Sequence, residues 1–409
     1  MNTRQNRRNR RHFLKTGITG IAGMAFLPAA AKAGLSRAQD KETATKIITR
    51  KLGKTGLELP LVSMGVMNAD NPNLVRAALD GGMLLLDTAH YYMRGRNEEM
   101  VGEAVKDRPR DSFVIASKAR ASTVDRSRIE GAEDREETAE SFIQKVEISL
   151  KRLQMDYIDI LYLHSAASKE DALKDQIAEA MQKLKQSGKI RFIGISTHQN
   201  EPEVIRAAAG SGLYEVVLTT YNFRQENHQE IKTAVAEAAQ AGLGIVAMKT
   251  QAGAYWDRDR KDPINMKAAL RWVLQDENVH TTVPGFTTFD QLEADLAVMR
   301  DPALTSEEKA ELKLGLNHPS PGLYCQQCGA CLPQCKQGLD IPRLMRGYMY
   351  AYGYRNLELA KATVLSANLP ETPCGGCGEC RIECTIGFDV KDRVEDIARI
   401  REVPDDFLV

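Results

Sequence analysis

At 409 residues the chain is long enough for a full hydrophobic core and for more than one domain. Lysine plus arginine and aspartate plus glutamate number 55 each, so the mean charge gives no argument for nucleic acid or a charged surface as a partner. Hydrophobic residues make up 43%, ordinary for a soluble globular protein, but all eight cysteines fall from Cys325 onward and mark a C-terminal module with its own chemistry.

Residues 1–33 read as a leader rather than as fold. A basic segment runs into an apolar, glycine-containing stretch from Ile18 to Leu27, and Ala31-Lys32-Ala33 forms a small-residue cleavage pattern. Within it, Arg10-Arg11-His12-Phe13-Leu14-Lys15 resembles the twin-arginine export motif. That resemblance implies export of the folded protein, often with cofactors already loaded, to the periplasm or another extracytoplasmic space. The alternatives are a basic binding arm or an uncleaved anchor. The apolar run is short for a spanning helix, which needs roughly 20 apolar residues, and no membrane span is expected after cleavage. Residues 34–46 read as a polar linker.

From residue 47 the pattern alternates between short apolar runs and longer amphipathic segments. An entry hairpin turning at Lys54-Thr55-Gly56 comes first. Strands are then predicted at 61–66, 83–89, 113–118, 158–164, 190–196, 215–221, 244–250 and 280–286. Eight strand-helix units in about 250 residues predict an α/β fold, a (β/α)8 TIM barrel over residues 47–315. A doubly wound sheet is the alternative, but the glycine-rich G-x-G-x-x-G turn of its dinucleotide-binding form is absent.

Catalytic groups of such a barrel sit where strands end. Asp87 ends the second strand, with Tyr92 just beyond it; Lys118 ends the third and His164 the fourth. Singly, these residues read as a helix cap, a solvated amine and a satisfied imidazole. Together they suit proton transfer to a carbonyl oxygen. A lysine held by an aspartate is expected to lower the tyrosine pKa from about 10, so that the phenol acts as general acid. The histidine would orient the same oxygen.

The stretches LGKTGLELPLVSMG, LDTAHYYMRGRNEEMVGEAV, VIASK, DYIDILYLH, IRFIGIS and VPGFTTFDQLEADL resemble the aldo-keto reductases over residues 47–315. By that resemblance the catalytic tetrad is Asp87, Tyr92, Lys118 and His164. Tyr91 is excluded because the family's tyrosine stands five residues after its aspartate. The resemblance also implies a nicotinamide dinucleotide, with Ser196, Thr287 and Gln291 at cofactor positions. Thr197, Leu218, Met248 and Asp295 stand where the family carries asparagine, glutamine, an aromatic residue and asparagine. The final loop has no cation and Asp295 would repel a 2′-phosphate, which argues against a preference for NADPH. NAD(H), NADP(H) or no nicotinamide therefore remain open.

Cys325, Cys328, Cys331 and Cys335 have the spacing C-x2-C-x2-C-x3-C, and Cys374, Cys377, Cys380 and Cys384 repeat it. Export invites a disulfide reading, and eight thiolates could hold two zinc ions. The spacing instead suits two [4Fe-4S] clusters, with the fourth cysteine commonly serving the other cluster. The repeat continues through Gly338 and Gly387, Asp340 and Asp389, and Ile341 and Val390. The runs resemble bacterial dicluster ferredoxins, although Lys336 and Thr385 replace the proline after the last cysteine. The 38 intervening residues read as one or two helices with tyrosines on the apolar side, so residues 316–409 are predicted to form a small, mainly α-helical ferredoxin-like domain. The charged stretch 126–140 reads as a solvated loop leading into a helix.

The combined expectation is an exported oxidoreductase interconverting a small carbonyl and an alcohol, its electrons relayed through two [4Fe-4S] clusters to a redox partner protein or carrier. One alternative is a nicotinamide-dependent reductase with structural clusters. Another is a non-enzymatic electron-transfer subunit using the barrel as a scaffold.

Overall fold

The computed structural model describes residues 47–121, 138–318, 322–367, 369–377 and 380–408. The leader at 1–33, the linker up to residue 46 and most of the charged stretch 126–140 lie outside the described residues.

Each predicted strand is found, most of them trimmed at the ends. The entry hairpin pairs β1 (Thr49–Lys51) with β2 (Glu58–Pro60) antiparallel. Eight parallel strands follow: β3 (Met64–Gly65), β4 (Leu85–Asp87), β5 (Val114–Ala119), β6 (Ile158–Leu163), β7 (Ile190–Thr197), β8 (Val216–Thr220), β9 (Gly244–Met248) and β10 (Thr281–Thr282). Neighbours in sequence are neighbours in the sheet. The seam between first and last strands closes through single bridges, Val62 to Thr282 and Gly65 to Gly285. Ser63 N–H donates to Thr282 O at 2.8 Å and Thr282 N–H to Leu61 O at 3.0 Å. The first and last ladders are short because backbone at the seam pairs only intermittently.

The period-two alternation along the strands produces two cores. One set of side chains fills the barrel, including Leu85, Ile160, Tyr162, Leu218 and Val246, with Leu52 and Leu59 of the hairpin closing its floor. Tyr162 fits beside Gly194, where a Cβ would lie 2.5 Å from the ring. The outward set, such as Ile115, Leu161, Ile195 and Val217, packs under the surrounding helices. Typical of these is Ala139–Leu153, amphipathic and started by a capping box in which Thr138 and Ser141 satisfy each other's backbone N–H.

The C-terminal module has its own core of Tyr324, Leu344, Tyr348, Tyr350, Val364 and Val394. Its helices are Ile341–Tyr348, continued by a wider turn at Met349–Gly353, then Leu357–Leu365 and Val390–Ala398. The repeated sequence is a repeated local structure. After each fourth cysteine a turn closes, with Gly338 N–H donating to Cys335 O and Gly387 N–H to Cys384 O, both at 3.0 Å. These glycines have φ of 63° and 76°, a region hostile to a Cβ. Asp340 and Asp389 then cap the helices, accepting from Arg343 N–H and Asp392 N–H.

This module lies against the mouth of the barrel. Asn222 Nδ2 donates to Tyr324 Oη at 2.9 Å and Asn356 Nδ2 to Asn68 Oδ1 at 2.9 Å. Glu358 receives Arg94 at 2.8 Å and Arg96 at 3.1 Å.

Candidate active site

The four predicted strand-end groups share one buried site. Lys118 Nζ lies 2.6 Å from Asp87 Oδ2, donates to Thr88 O at 2.6 Å and is 3.5 Å from Tyr92 Oη. Burial pushes the Asp87 carboxyl up and the Lys118 amine down, and the contact between their opposite charges works against both shifts. We read the pair as charged, because each ion is the other's nearest compensation. Register explains the meeting: Asp87 pairs with Ala116 on β5, two residues before Lys118, so both side chains point inward at the same end.

Tyr92 is 8% exposed and departs from the expectation of a lowered pKa. Burial raises its phenol well above 10, and neighbouring Tyr91 and Asp87 raise it further. The Lys118 charge is spent on Asp87, leaving little to favour a phenolate. Tyr92 is therefore a neutral phenol at neutral pH, the protonation state a proton donor requires. The loop that carries it is tightly bent: Met93 and Arg94 have φ of 49° and 54°. Arg152 braces that loop by donating to His90 O at 2.7 Å and approaching buried Glu98 at 3.4 Å.

His164 is a neutral imidazole, its pKa well below the ordinary value through burial and then Lys118, Arg120, Arg346 and Lys249. Its Nε2 lies 3.4 Å from Tyr91 Oη, and its Nδ1 has no hydrogen-bond partner among the described residues. Tyr91, set aside on sequence grounds, thus also faces the site, its ring 4.9 Å from that of His164 and under the Arg120 guanidinium at 4.2 Å. Arg120 follows Lys118 by two residues and could have been read as a further strand-end cation. Arg346, Tyr350, His198 and Lys249 also border the mouth. Two of these come from the cysteine module, and no local pattern connects them to the barrel.

The proposed nucleotide positions are not brought together in the same way. Ser196 is buried, accepting from Ser165 N–H at 2.9 Å and donating to Leu163 O at 3.3 Å. Thr287 and Gln291 lie exposed beyond β10, where Gln291 Oε1 accepts from Thr287 N–H at 2.8 Å. The Ser196 hydroxyl is thus spent within the protein, whereas the bond at Thr287 and Gln291 engages only the Thr287 backbone N–H and the Gln291 carbonyl oxygen. Asp295 is 3% exposed, its Oδ2 has no hydrogen-bond partner among the described residues, and burial raises its carboxyl to about 7.

The cysteines separate into two sets that cross the runs. Cys335 lines one cavity with Cys374, Cys377 and Cys380, walled by Leu339, Ile341 and Val394. Cys384 stands with Cys325, Cys328 and Cys331. Burial and then these neighbours push the Cys325 thiol up to about 11 and the Cys331 thiol up to about 12. Cys328 Sγ lies 3.5 Å from Thr385 Oγ1, beside Cys384. Two four-thiol cradles fit two [4Fe-4S] clusters: positive iron would reverse the repulsion that resists ionisation. Replacing Cys384 with serine is expected to alter the paramagnetic signature of the cluster held by Cys325, Cys328 and Cys331, leaving the other unchanged. Loss of the signal assigned to Cys374, Cys377 and Cys380 alone would contradict the crossed sets.

Asp295 supplies a pH prediction. Its folded pKa of about 7 lies above the ordinary 3.8, so the protonated carboxyl contributes stability below about pH 4 that is lost as pH rises through about 7. Replacement with asparagine should raise stability at pH 8 by roughly 1–3 kcal/mol and flatten the decline between pH 4 and 7, read by denaturant unfolding. An unchanged slope would contradict it.

The Aldo/keto reductase family matches residues 63–268, and the 4Fe-4S dicluster domain matches residues 324–389. The chain is 37% identical over 163 residues to "Uncharacterized oxidoreductase YqkF" of Bacillus subtilis, covering 38% of this chain and 50% of that protein. It is 35% identical over 165 residues to L-galactose dehydrogenase of Arabidopsis thaliana, covering 37% and 49%. The chain thus spans about half the length of the curated relatives it matches. Among solved structures, the aldo-keto reductase AKR11C1 from Bacillus halodurans superposes with a TM-score of 0.55 at 25% identity, over 69% of this chain and 99% of that one. The chain belongs to the aldo/keto reductase family of oxidoreductases and carries a C-terminal 4Fe-4S dicluster domain.

Proposed function

We propose that the chain interconverts a carbonyl and an alcohol at Asp87, Tyr92, Lys118 and His164, and that its electrons pass to or from an external redox partner through two [4Fe-4S] clusters. The observation that carries this reading is a small cavity in which Cys325, a thiol of the first cradle, shares walls with His198, Thr220 and Lys249 of the barrel mouth. A purely structural cluster domain has no need to abut the reaction site.

Reduction of a carbonyl adds two electrons and two protons. Tyr92, neutral through burial, is placed to give the proton that ends on oxygen and is reprotonated from solvent, which also supplies the proton that ends on carbon; the Lys118–Asp87 pair fixes the polar wall beside it. His164 is neutral and so positions the oxygen by hydrogen bonding rather than by charge. The clusters, when bound, supply one-electron transfer, and two of them match the electron count of the couple.

Family membership supports a second reading, in which a nicotinamide supplies hydride and the clusters are structural. The Ser196 hydroxyl, already engaged on both sides within the protein, weighs against it.

The test is an anaerobic titration of the full holoenzyme with a panel of aldehydes and their alcohols, with and without NADH or NADPH. On the relay reading, a turned-over substrate changes the cluster absorbance without nicotinamide. Tyr92→Phe should lower turnover by about 10²–10⁴-fold. Turnover with NAD(P)H while cluster absorbance stays constant would establish the second reading instead.

We also propose export by the twin-arginine route, on the strength of Arg10-Arg11-His12-Phe13-Leu14-Lys15. Replacing Arg10 and Arg11 with lysine should hold the protein in the cytoplasmic fraction, and unchanged fractionation would refute this.

A further inference from the structure

Between the barrel mouth and the cysteine module lies a cavity of about 300 Å³, large enough for a small metabolite. The barrel contributes His164, Arg120, Lys174 and His198 to its wall, and the module contributes Arg343 and Arg346. Four cations thus face one carboxylate, Asp171. Asp171 is already engaged, 3.1 Å from Lys174 Nζ and accepting from Ala167 N–H at 3.0 Å. Arg343 is paired with Asp340 at 2.9 Å and donates to Ser366 O at 2.8 Å. The two histidines add no charge, because burial and the surrounding cations hold both neutral.

Arg120 and Arg346 remain. Among the described residues neither has a carboxylate partner, and the buried Nε of each has no hydrogen-bond acceptor. Arg346 is steadied by Gln327 Oε1 at 2.6 Å, and Arg120 by the Tyr91 ring. Among the described residues Arg120 leans on the Tyr91 hydroxyl, and Arg346 on Gln327 and the more distant Glu201, so neither guanidinium has a carboxylate at ion-pair distance and an entering anion supplies one. Both charges also bear on His164, so the anionic end of a ligand would lie close to the reacting carbonyl.

We propose that this cavity selects substrates carrying an oxyanion, a carboxylate or a phosphate, gripped by Arg120 and Arg346 while the carbonyl or alcohol lies at the His164 end of the cavity, beside Tyr91. The inference rests on the reading of the barrel mouth as a carbonyl site. A phosphate of a dinucleotide could supply the same chemistry. The cavity, however, is built on the loops after β5, β6 and β7 and shares His164 with the tetrad, whereas Thr287 and Gln291 lie beyond β10.

The test uses the anaerobic holoenzyme and matched probes: benzaldehyde against its carboxylated derivative, and glyceraldehyde against its phosphate ester. Binding is read by calorimetry, and kcat/KM wherever a probe turns over. The anionic member of at least one pair should bind about tenfold or more tightly, the scale of one charge-assisted hydrogen bond, and the winning pair identifies the oxyanion. R346Q and R120Q should each cut that preference about tenfold and R346K should keep most of it, with cluster absorbance reporting that each variant is folded. Equal affinity within both pairs, or a preference that survives both glutamine variants, overturns the proposal. Displacement of the anionic probe by NADPH would assign the cavity to the dinucleotide and overturn it as well. Anion-selective binding without turnover of any probe keeps the cavity and sinks the carbonyl reading. Turnover without anion preference does the reverse.

Discussion

The buried contact between Lys118 and Asp87, at 2.6 Å, is the constraint around which the site is arranged. A lysine amine in the middle of a barrel is tolerable only with a partner, and the carboxylate on the neighbouring strand supplies it. The pairing fixes the ammonium against Thr88 O and 3.5 Å from the Tyr92 hydroxyl. It also absorbs the lysine's charge, so burial, reinforced by Tyr91 and Asp87, keeps the Tyr92 proton in place. The strained turn at Met93 and Arg94, braced by Arg152, completes the placement of that phenol.

A second constraint is the seating of the cysteine module on the barrel mouth. Many TIM-barrel sites are roofed by their own strand-to-helix loops. Here Tyr324, Arg346 and Tyr350 of the module form part of the roof, and Cys325 stands in the wall of a cavity beside Lys249. One packing arrangement thus brings a cluster ligand near the tetrad and places unpaired arginine at the substrate side. The redox relay and the anion preference proposed above both draw on this interface, through different residues.

Much of this was legible in the residues. Strand positions followed from short apolar runs set between longer amphipathic segments, and Asp87, Lys118 and His164 from their places at strand ends. The match of Gly338 with Gly387 and Asp340 with Asp389 was visible as a repeat, and the structure makes the glycines turns and the aspartates helix caps, roles decided within a few residues of chain. The expectation for Tyr92 failed on the direction of its pKa, since spacing indicates which groups are adjacent but not how much water is removed from them. Tyr91 is another such case. It was set aside because the family's tyrosine stands five residues after its aspartate, yet the tight turn brings both rings to His164.

By itself the sequence determined the barrel, the two cysteine runs and the residue types at the strand ends, because each is written in local periodicity and spacing. The spacing suggested that each fourth cysteine serves the other run, and the tertiary structure places Cys384 with the first run's thiols and Cys335 with the second's. It alone decided that Arg346 comes to share a cavity with Arg120, more than two hundred residues away in the chain. It also set the charge states of Tyr92, His164 and Asp295. The physical reason is common to all three. Burial and long-range packing set both the company a side chain keeps and the cost of its charge, and neither is encoded in any short stretch of sequence.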